Sequence, residues 1–214
     1  MAKAMIILYP RDLAVSWGED SRYWEWIQLW NGSRALRLKD VCWLEVKGSF
    51  DMSRLTCGAR YDVWFDVTMV APVDGWWRAP MNLRLDFPNG CCTTRCEYLN
   101  SVPQDAPKLV SAGSFTAWNG GTLRFSMAET RTNLWKKGLV LKKIIVLPQG
   151  YRVQIVRCGS NCTITRPCTS RDCQFKIGGK VGGIGGGGGG IGGTNGGTGV
   201  YQYILEPGAI IKIT

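Results

Sequence analysis

Histidine is missing from all 214 residues. Without an imidazole, the chain cannot build a Ser/His/Asp or Cys/His catalytic set, a His-ligated metal site or a histidine general base. Covalent chemistry by Lys or Cys, and work by paired carboxylates, survive that exclusion. Long apolar runs are also missing, and none approaches the ~20 residues of a membrane span. The N-terminal Met5-Ile6-Ile7-Leu8 is too short for a signal-peptide core and is stopped by Pro10, Arg11 and Asp12. This predicts an unprocessed chain made in the cytosol, in which the Asn-x-Ser/Thr sites at Asn31 and Asn161 go unused. Helical periodicity is scarce, with one ambiguous, aromatic-crowded candidate around Arg22 to Leu29. Runs of positive charge are scarce too. The formal charge is +10, yet the longest basic runs are the pairs Lys136-Lys137 and Lys142-Lys143. Both sit in strand-like surroundings and read as a solvated strand face.

What is present is strand signal. The chain is 45% hydrophobic and 11% aromatic, enough to bury a core. From Tyr61 to Val70, Tyr61, Val63, Phe65, Val67 and Met69 alternate with Asp62, Trp64, Asp66 and Thr68, the period of a strand with one buried face. Shorter alternations recur at Leu83/Leu85/Phe87 and Leu123/Phe125/Met127, with further β-rich runs at Val41 to Phe50 and Gly138 to Leu147. Many short strands separated by turn residues predict an all-β fold, an antiparallel β-sandwich of jelly-roll type. A change of character after Leu147-Pro148 places a domain boundary between 1–149 and 150–214. Beyond it, Tyr151 to Val156 alternates like a strand, residues 178–199 hold 15 Gly in 22, and Tyr201 to Leu205 and Ala209 to Ile213 suit two terminal strands. The glycine-rich stretch reads as a flexible linker. It is no P-loop, because Lys180 is followed by Val181 and not by Ser or Thr.

Nine cysteines conflict with a reducing compartment, and their odd number leaves at least one thiol unpaired within the chain. Cys91, Cys92 and Cys96 fall in one expected loop, and Cys158, Cys162, Cys168 and Cys173 in the C-terminal extension. The latter spacing, C-x3-C-x5-C-x4-C, lacks the C-x2-C pairs of zinc sites, so disulfides within or between chains are the expected fate of both groups. No metal or other cofactor is implied.

The segment Trp17-Gly18-Glu19-Asp20-Ser21-Arg22-Tyr23-Trp24-Glu25-Trp26 concentrates flat rings and charges among turn formers. A purely apolar sandwich end has no use for so many charges. Rings stack on the C–H faces of pyranoses while carboxylates accept hydroxyl hydrogens, so the mixture suits a sugar site. Rings with basic residues equally suit single-stranded nucleic acid. A glycosidase would need two carboxylates at fixed separation, and Glu19, Asp20, Glu25 and Glu129 fix no such pair.

This run, preceded by Tyr9-Pro10-Arg11-Asp12-Leu13, is followed by Val41-Cys42-Trp43-Leu44-Glu45-Val46-Lys47-Gly48. Then come Phe125-Ser126-Met127-Ala128-Glu129 and Trp135-Lys136-Lys137-Gly138-Leu139-Val140. Together, over residues 5–148, these motifs resemble the phloem lectin family, the phloem protein two group related to the jasmonate-inducible tobacco lectin. The resemblance implies a non-catalytic lectin for N-acetylglucosamine oligomers (chitooligosaccharides), usually a homodimer without a signal peptide, found in cytosol, nucleus or sieve-tube sap. It carries sugar binding to Trp17 and Trp24, with Glu129 facing them, and more weakly to Arg22, Tyr23 and Trp26. Trp135 is expected to pack and Lys136 to sit at the rim. The family also implies RNA binding and disulfide-linked networks with phloem filament proteins, in a sap that becomes oxidising on wounding, which would reconcile nine cysteines with the lack of a secretory signal. The Cys91–Cys96 insert and the extension past 150 lie outside the resemblance.

Overall fold

The computed structural model describes residues 4–29, 32–100 and 102–150, and the backbone of three further strands at 153–158, 177–180 and 200–205. In chain order the strands are β1 (Ile6–Leu8), β2 (Ala14–Val15), β3 (Trp24–Gln28), β4 (Arg34–Leu38), β5 (Leu44–Asp51), β6 (Arg60–Asp74) and β7 (Pro80–Asp86). They continue with β8 (Cys92–Tyr98), β9 (Pro107–Thr116), β10 (Thr122–Glu129), β11 (Lys137–Pro148), β12 (Val153–Cys158), β13 (Ile177–Lys180) and β14 (Val200–Leu205). Among the described residues, helix is confined to two single 3-10 turns at Pro10–Asp12 and Met52–Arg54.

Two antiparallel sheets pack face to face. One has the order β3-β4-β11-β6-β9, with β1 pairing β11 beyond the end of β4, and the other runs β2-β5-β10-β7-β8. The chain changes sheet at every step from β1 to β11 except β3 to β4 and β7 to β8, the crossovers by which a jelly roll closes its core. The alternation read from Tyr61 onward becomes β6, whose Tyr61, Val63, Phe65, Val67 and Met69 are all fully buried. Leu123, Phe125 and Met127 of β10 meet them from the other sheet, and the Phe65 and Phe125 rings lie edge to face at 5.8 Å. Burial of each such side chain contributes about 1.5–3 kcal/mol, and the continuous cluster they form holds the sandwich shut.

Three expectations need correction. The helix candidate at Arg22 to Leu29 is strand β3, in which Trp24 points inward, Glu25 outward and Trp26 packs half-buried on the core. Ring crowding at alternate positions suits a pleated edge better than a helical stripe. Lys142 and Lys143 are not a solvated face: their side chains are 12% and 8% exposed and both pair with buried Asp66, at 3.0 and 3.9 Å. Their stretch of β11 carries a register shift between Leu141 and Lys143, which brings both lysines to one carboxylate. Finally, Gly178 to Lys180 belong to a strand, not to a linker.

The small sheet has the order β12-β14-β13, with Val153 opposite Leu205 and Ile177 opposite Tyr203. It falls in a unit separate from the sandwich. The strands expected at Tyr151 to Val156 and Tyr201 to Leu205 appear there as β12 and β14. Asn31, Asn161, Cys162, Cys168, Cys173, most of the glycine-rich stretch and Ala209 to Ile213 lie outside the described residues, as does the side chain of Cys158.

Candidate functional site

The connections that gather at one end of the sandwich include 16–23 between β2 and β3, 39–43 between β4 and β5, 75–79 between β6 and β7, and 130–136 between β10 and β11. The first winds through successive tight turns, with backbone N–H groups of Gly18, Asp20 and Tyr23 donating to the carbonyls of Val15, Trp17 and Asp20. The Asp20 carboxylate accepts from the Arg22 backbone N–H at 2.9 Å and from its guanidinium at 2.7 Å. Those bonds, the side-chain one foremost, hold the Asp20 carboxyl below its ordinary value.

The turns present Trp17 to solvent, 48% exposed, at a φ of 56°. A left-handed conformation at a bulky residue costs about 1–3 kcal/mol and persists where surrounding structure enforces it, often at ligand sites. The Trp17 and Tyr23 rings lie 5.5 Å apart, and the Arg22 guanidinium sits 5.3 Å from the Tyr23 centroid. Ring, ring and cation thus form one surface. Beside it opens a cleft of about 810 Å³ lined by Pro10, Leu13, Trp17, Glu19, Asp20 and Ser21. A smaller recess of about 300 Å³, edged by Glu25, Trp26 and Lys39, shares Gly18, Glu19 and Ser21 with it. By contrast, a depression of about 650 Å³ on the outer face of the second sheet is lined by charges that already pair, Lys47 with Glu45 and Arg84 with Asp86.

The structure separates the expected site residues. Trp17 and Arg22 are exposed, Tyr23 is half-buried against the core between them, and Trp26 lies half-buried at the flank under the Arg34 guanidinium, 4.8 Å from its ring. Trp24 does not join them: it is 2% exposed, and its indole N–H donates to the Ser16 carbonyl at 3.0 Å, bracing the backbone next to Trp17. Glu129 and Lys136, expected to face the rings and to line the rim, are both fully buried and bonded to each other at 2.5 Å. Glu129 also accepts from the backbone N–H groups of Arg131 and Thr132 and from the Thr132 hydroxyl. Lys136 Nζ donates further to the carbonyls of Cys42 at 2.7 Å and Leu134 at 2.8 Å. Burial pushes the Glu129 carboxyl up, but bonds from Lys136, Thr132 and Arg131 outweigh it, so it stays ionised below the usual carboxylate range. The pair shapes loops and offers a ligand nothing directly. Trp135, expected to pack, is 53% exposed.

Sequence reasoning passed over Trp43 and Trp77, which are 47% and 57% exposed. Trp43 stood inside a quoted motif and Trp77 in the pair Trp76-Trp77, where nothing in spacing tells the buried ring from the open one. Cys42 is half-buried and Cys57, Cys91, Cys92 and Cys96 are exposed, all five as free thiols. Cys92 and Cys96 are four residues apart on one face of β8, roughly 13 Å at strand rise, too far to bridge. No group of metal-ligating side chains occurs among the described residues. No helix among them is long and apolar enough to cross a membrane.

A family profile described as Phloem protein 2 matches residues 3–148. Protein PHLOEM PROTEIN 2-LIKE A1 of Arabidopsis thaliana is 34% identical over 151 residues, 67% of this chain and 61% of that protein. A protein named Lectin from Luffa acutangula is 31% identical over 149 residues, covering 67% of this chain and 70% of its own. Among solved structures, the GH26-CBM35 beta-(1,4)-mannanase of Podospora anserina aligns over 79% of this chain and 30% of its own, with 12% identity and a TM-score of 0.42. With more than half its length matched, and with the ordered motifs from Tyr9 to Val140 lying inside the matched span, the chain belongs to the phloem protein 2 family.

Proposed function

We propose that this chain is a non-catalytic lectin that binds N-acetylglucosamine oligomers at the loop from Trp17 to Tyr23, in phloem sap and its response to wounding. The carrying observation is Trp17, an exposed indole held in a costly backbone conformation beside an open cleft. The indole, backed by the half-buried Tyr23 ring 5.5 Å away, offers a face to a sugar ring, and Glu19, Asp20 and Ser21 offer acceptors to hydroxyl and acetamido groups. Trp24 and the Glu129–Lys136 pair act beneath the surface as positioning residues. The names of relatives, Lectin in Luffa acutangula and in Coccinia grandis, support the same reading.

Fluorescence titration with the N-acetylglucosamine trimer tests it. Saturable quenching that is indifferent to salt, tighter than for the monosaccharide and lost in Trp17→Ala, is expected. A response that collapses with salt would instead indicate nucleic acid, whose binding is driven by counterion release. A second reading rests on a separate observation: the exposed thiols of Cys57, Cys91, Cys92 and Cys96 suit disulfide cross-linking between chains, to other copies or to a phloem filament protein.

A further inference from the structure

The loops at this end of the sandwich carry three more exposed indoles, and their backbones are locked together. Residue 41 bridges residue 136, with the N–H of each donating to the other's carbonyl, Val41 to Lys136 at 3.0 Å and Lys136 to Val41 at 2.7 Å. Gly75 sits at φ +79 so close to the Trp135 carbonyl that a Cβ there would lie 1.9 Å from the oxygen. The buried Trp76 indole N–H donates to the Lys137 carbonyl at 2.8 Å. The backbone at Trp135 is thereby held against the loops that carry Trp43 and Trp77. The Lys39 ammonium reaches the Ser21 carbonyl at 2.9 Å, and the Lys39 N–H donates to Tyr23, so this group continues from the Trp17 loop.

Part of the charge on these loops is paired and part is open, with the Arg78 and Arg131 side chains exposed. Lys136 is neutralised by Glu129, Lys137 faces Asp40 at 3.7 Å, and the Arg78 guanidinium lies 4.4 Å from the Trp77 centroid. The exposed indoles on these pre-ordered loops suit the ring-faced chain of a polysaccharide, which stacks its C–H faces on flat rings. Large exposed aromatic area on a folded domain marks a binding surface.

The geometry points to Trp43, Trp77 and Trp135 as an extension of the binding site that takes the further sugar units of a long chitin-type chain. This rests on the lectin reading of the Trp17 loop and adds chain-length selection to it. A trimer is held by the Trp17 loop, and a longer chain runs on over the other rings.

Calorimetric titration of the full chain with the trimer and the hexamer of N-acetylglucosamine tests it, with Trp43→Ala, Trp77→Ala and Trp135→Ala made singly and together. Wild type should bind the hexamer roughly tenfold or more tighter than the trimer, each added ring contact contributing a few-fold. The triple variant should keep trimer affinity while its hexamer advantage shrinks to the few-fold left by extra binding registers. Trp135→Phe, which retains a ring, should keep most of the gain. Undiminished hexamer preference in a triple variant of native circular dichroism would overturn the platform alone. Failure of wild type to bind either oligomer would overturn the lectin reading and the platform with it. Polyuridine binding at low salt that the Trp135→Ala change abolishes, with hexamer affinity unmoved, would assign the rings to single-stranded nucleic acid and also overturn the proposal.

Discussion

Lys136→Met strands Glu129. In the wild type the ammonium is fully buried with three acceptors, the Glu129 carboxylate and the carbonyls of Cys42 and Leu134. Methionine fills similar volume and donates nothing, so the carboxylate stays buried without its counter-charge and two carbonyls lose their donor. Breaking a buried pair from one side costs about 3–5 kcal/mol, a large share of the 5–15 kcal/mol that holds an ordinary domain together. For a chain of this size that lowers the melting temperature by roughly 10 °C. Urea unfolding read by tryptophan fluorescence and by circular dichroism measures it. The sign with pH follows from the lowered Glu129 value. Its contribution is fully present above the ordinary carboxylate value of about 4.3 and is lost as pH falls through the lowered folded value. The gap between wild type and variant should therefore close in acid. Adding Glu129→Gln should recover part of the loss, since a neutral amide still accepts from Thr132 and Arg131. A loss below about 1 kcal/mol at neutral pH, or a gap that persists unchanged at pH 3, would refute this account of the pair.

Trp17 and Trp24 should behave oppositely. Trp17→Gly relieves a left-handed residue and should leave stability unchanged or raise it by about 1 kcal/mol while abolishing trimer binding. Trp24→Ala should cost about 3–5 kcal/mol, visible in melts before any titration, and Trp24→Phe should keep most of the binding. Lys143, lowered chiefly by burial against the pull of Asp66, works in the alkaline window. Its proton is held more weakly in the folded than in the unfolded chain, so stability gains between the lowered value and about 10.4, and Lys143→Met should erase that gain in urea melts. Oxidised protein should show intermolecular ladders on non-reducing gels, reduced by serine at Cys57, Cys91, Cys92 and Cys96 and unaffected by N-acetylglucosamine.

The sandwich was legible because period-two burial is written directly into β7, β10 and the first half of β6, while β11 shows only as a continuous apolar run. The loop from Trp17 to Trp26 was legible as a place of mixed rings and charges, yet its inside and outside were not. Trp17 and Trp24 carry the same side chain, and what divides them is a positive φ at one and the start of a strand at the other, which composition does not encode. Glu129 and Lys136 misled for a related reason. Charged residues seven apart across a loop look like surface, and their burial depends on the Leu134 carbonyl of their own loop and on the Cys42 carbonyl arriving from a distant one. Lys142 and Lys143 were misread likewise, since Asp66 that receives them lies on the neighbouring strand.

The buried lysine beneath the loops bonds to one carboxylate and otherwise to main-chain oxygens, which every residue type possesses. Trp43 and Trp135 adjoin those oxygens, so replacing either side chain leaves the main-chain bonds that brace the loops in place. Such an end of a sandwich can exchange its outward side chains while keeping its shape, so a new surface there requires no new architecture, only different residues on the same braced loops.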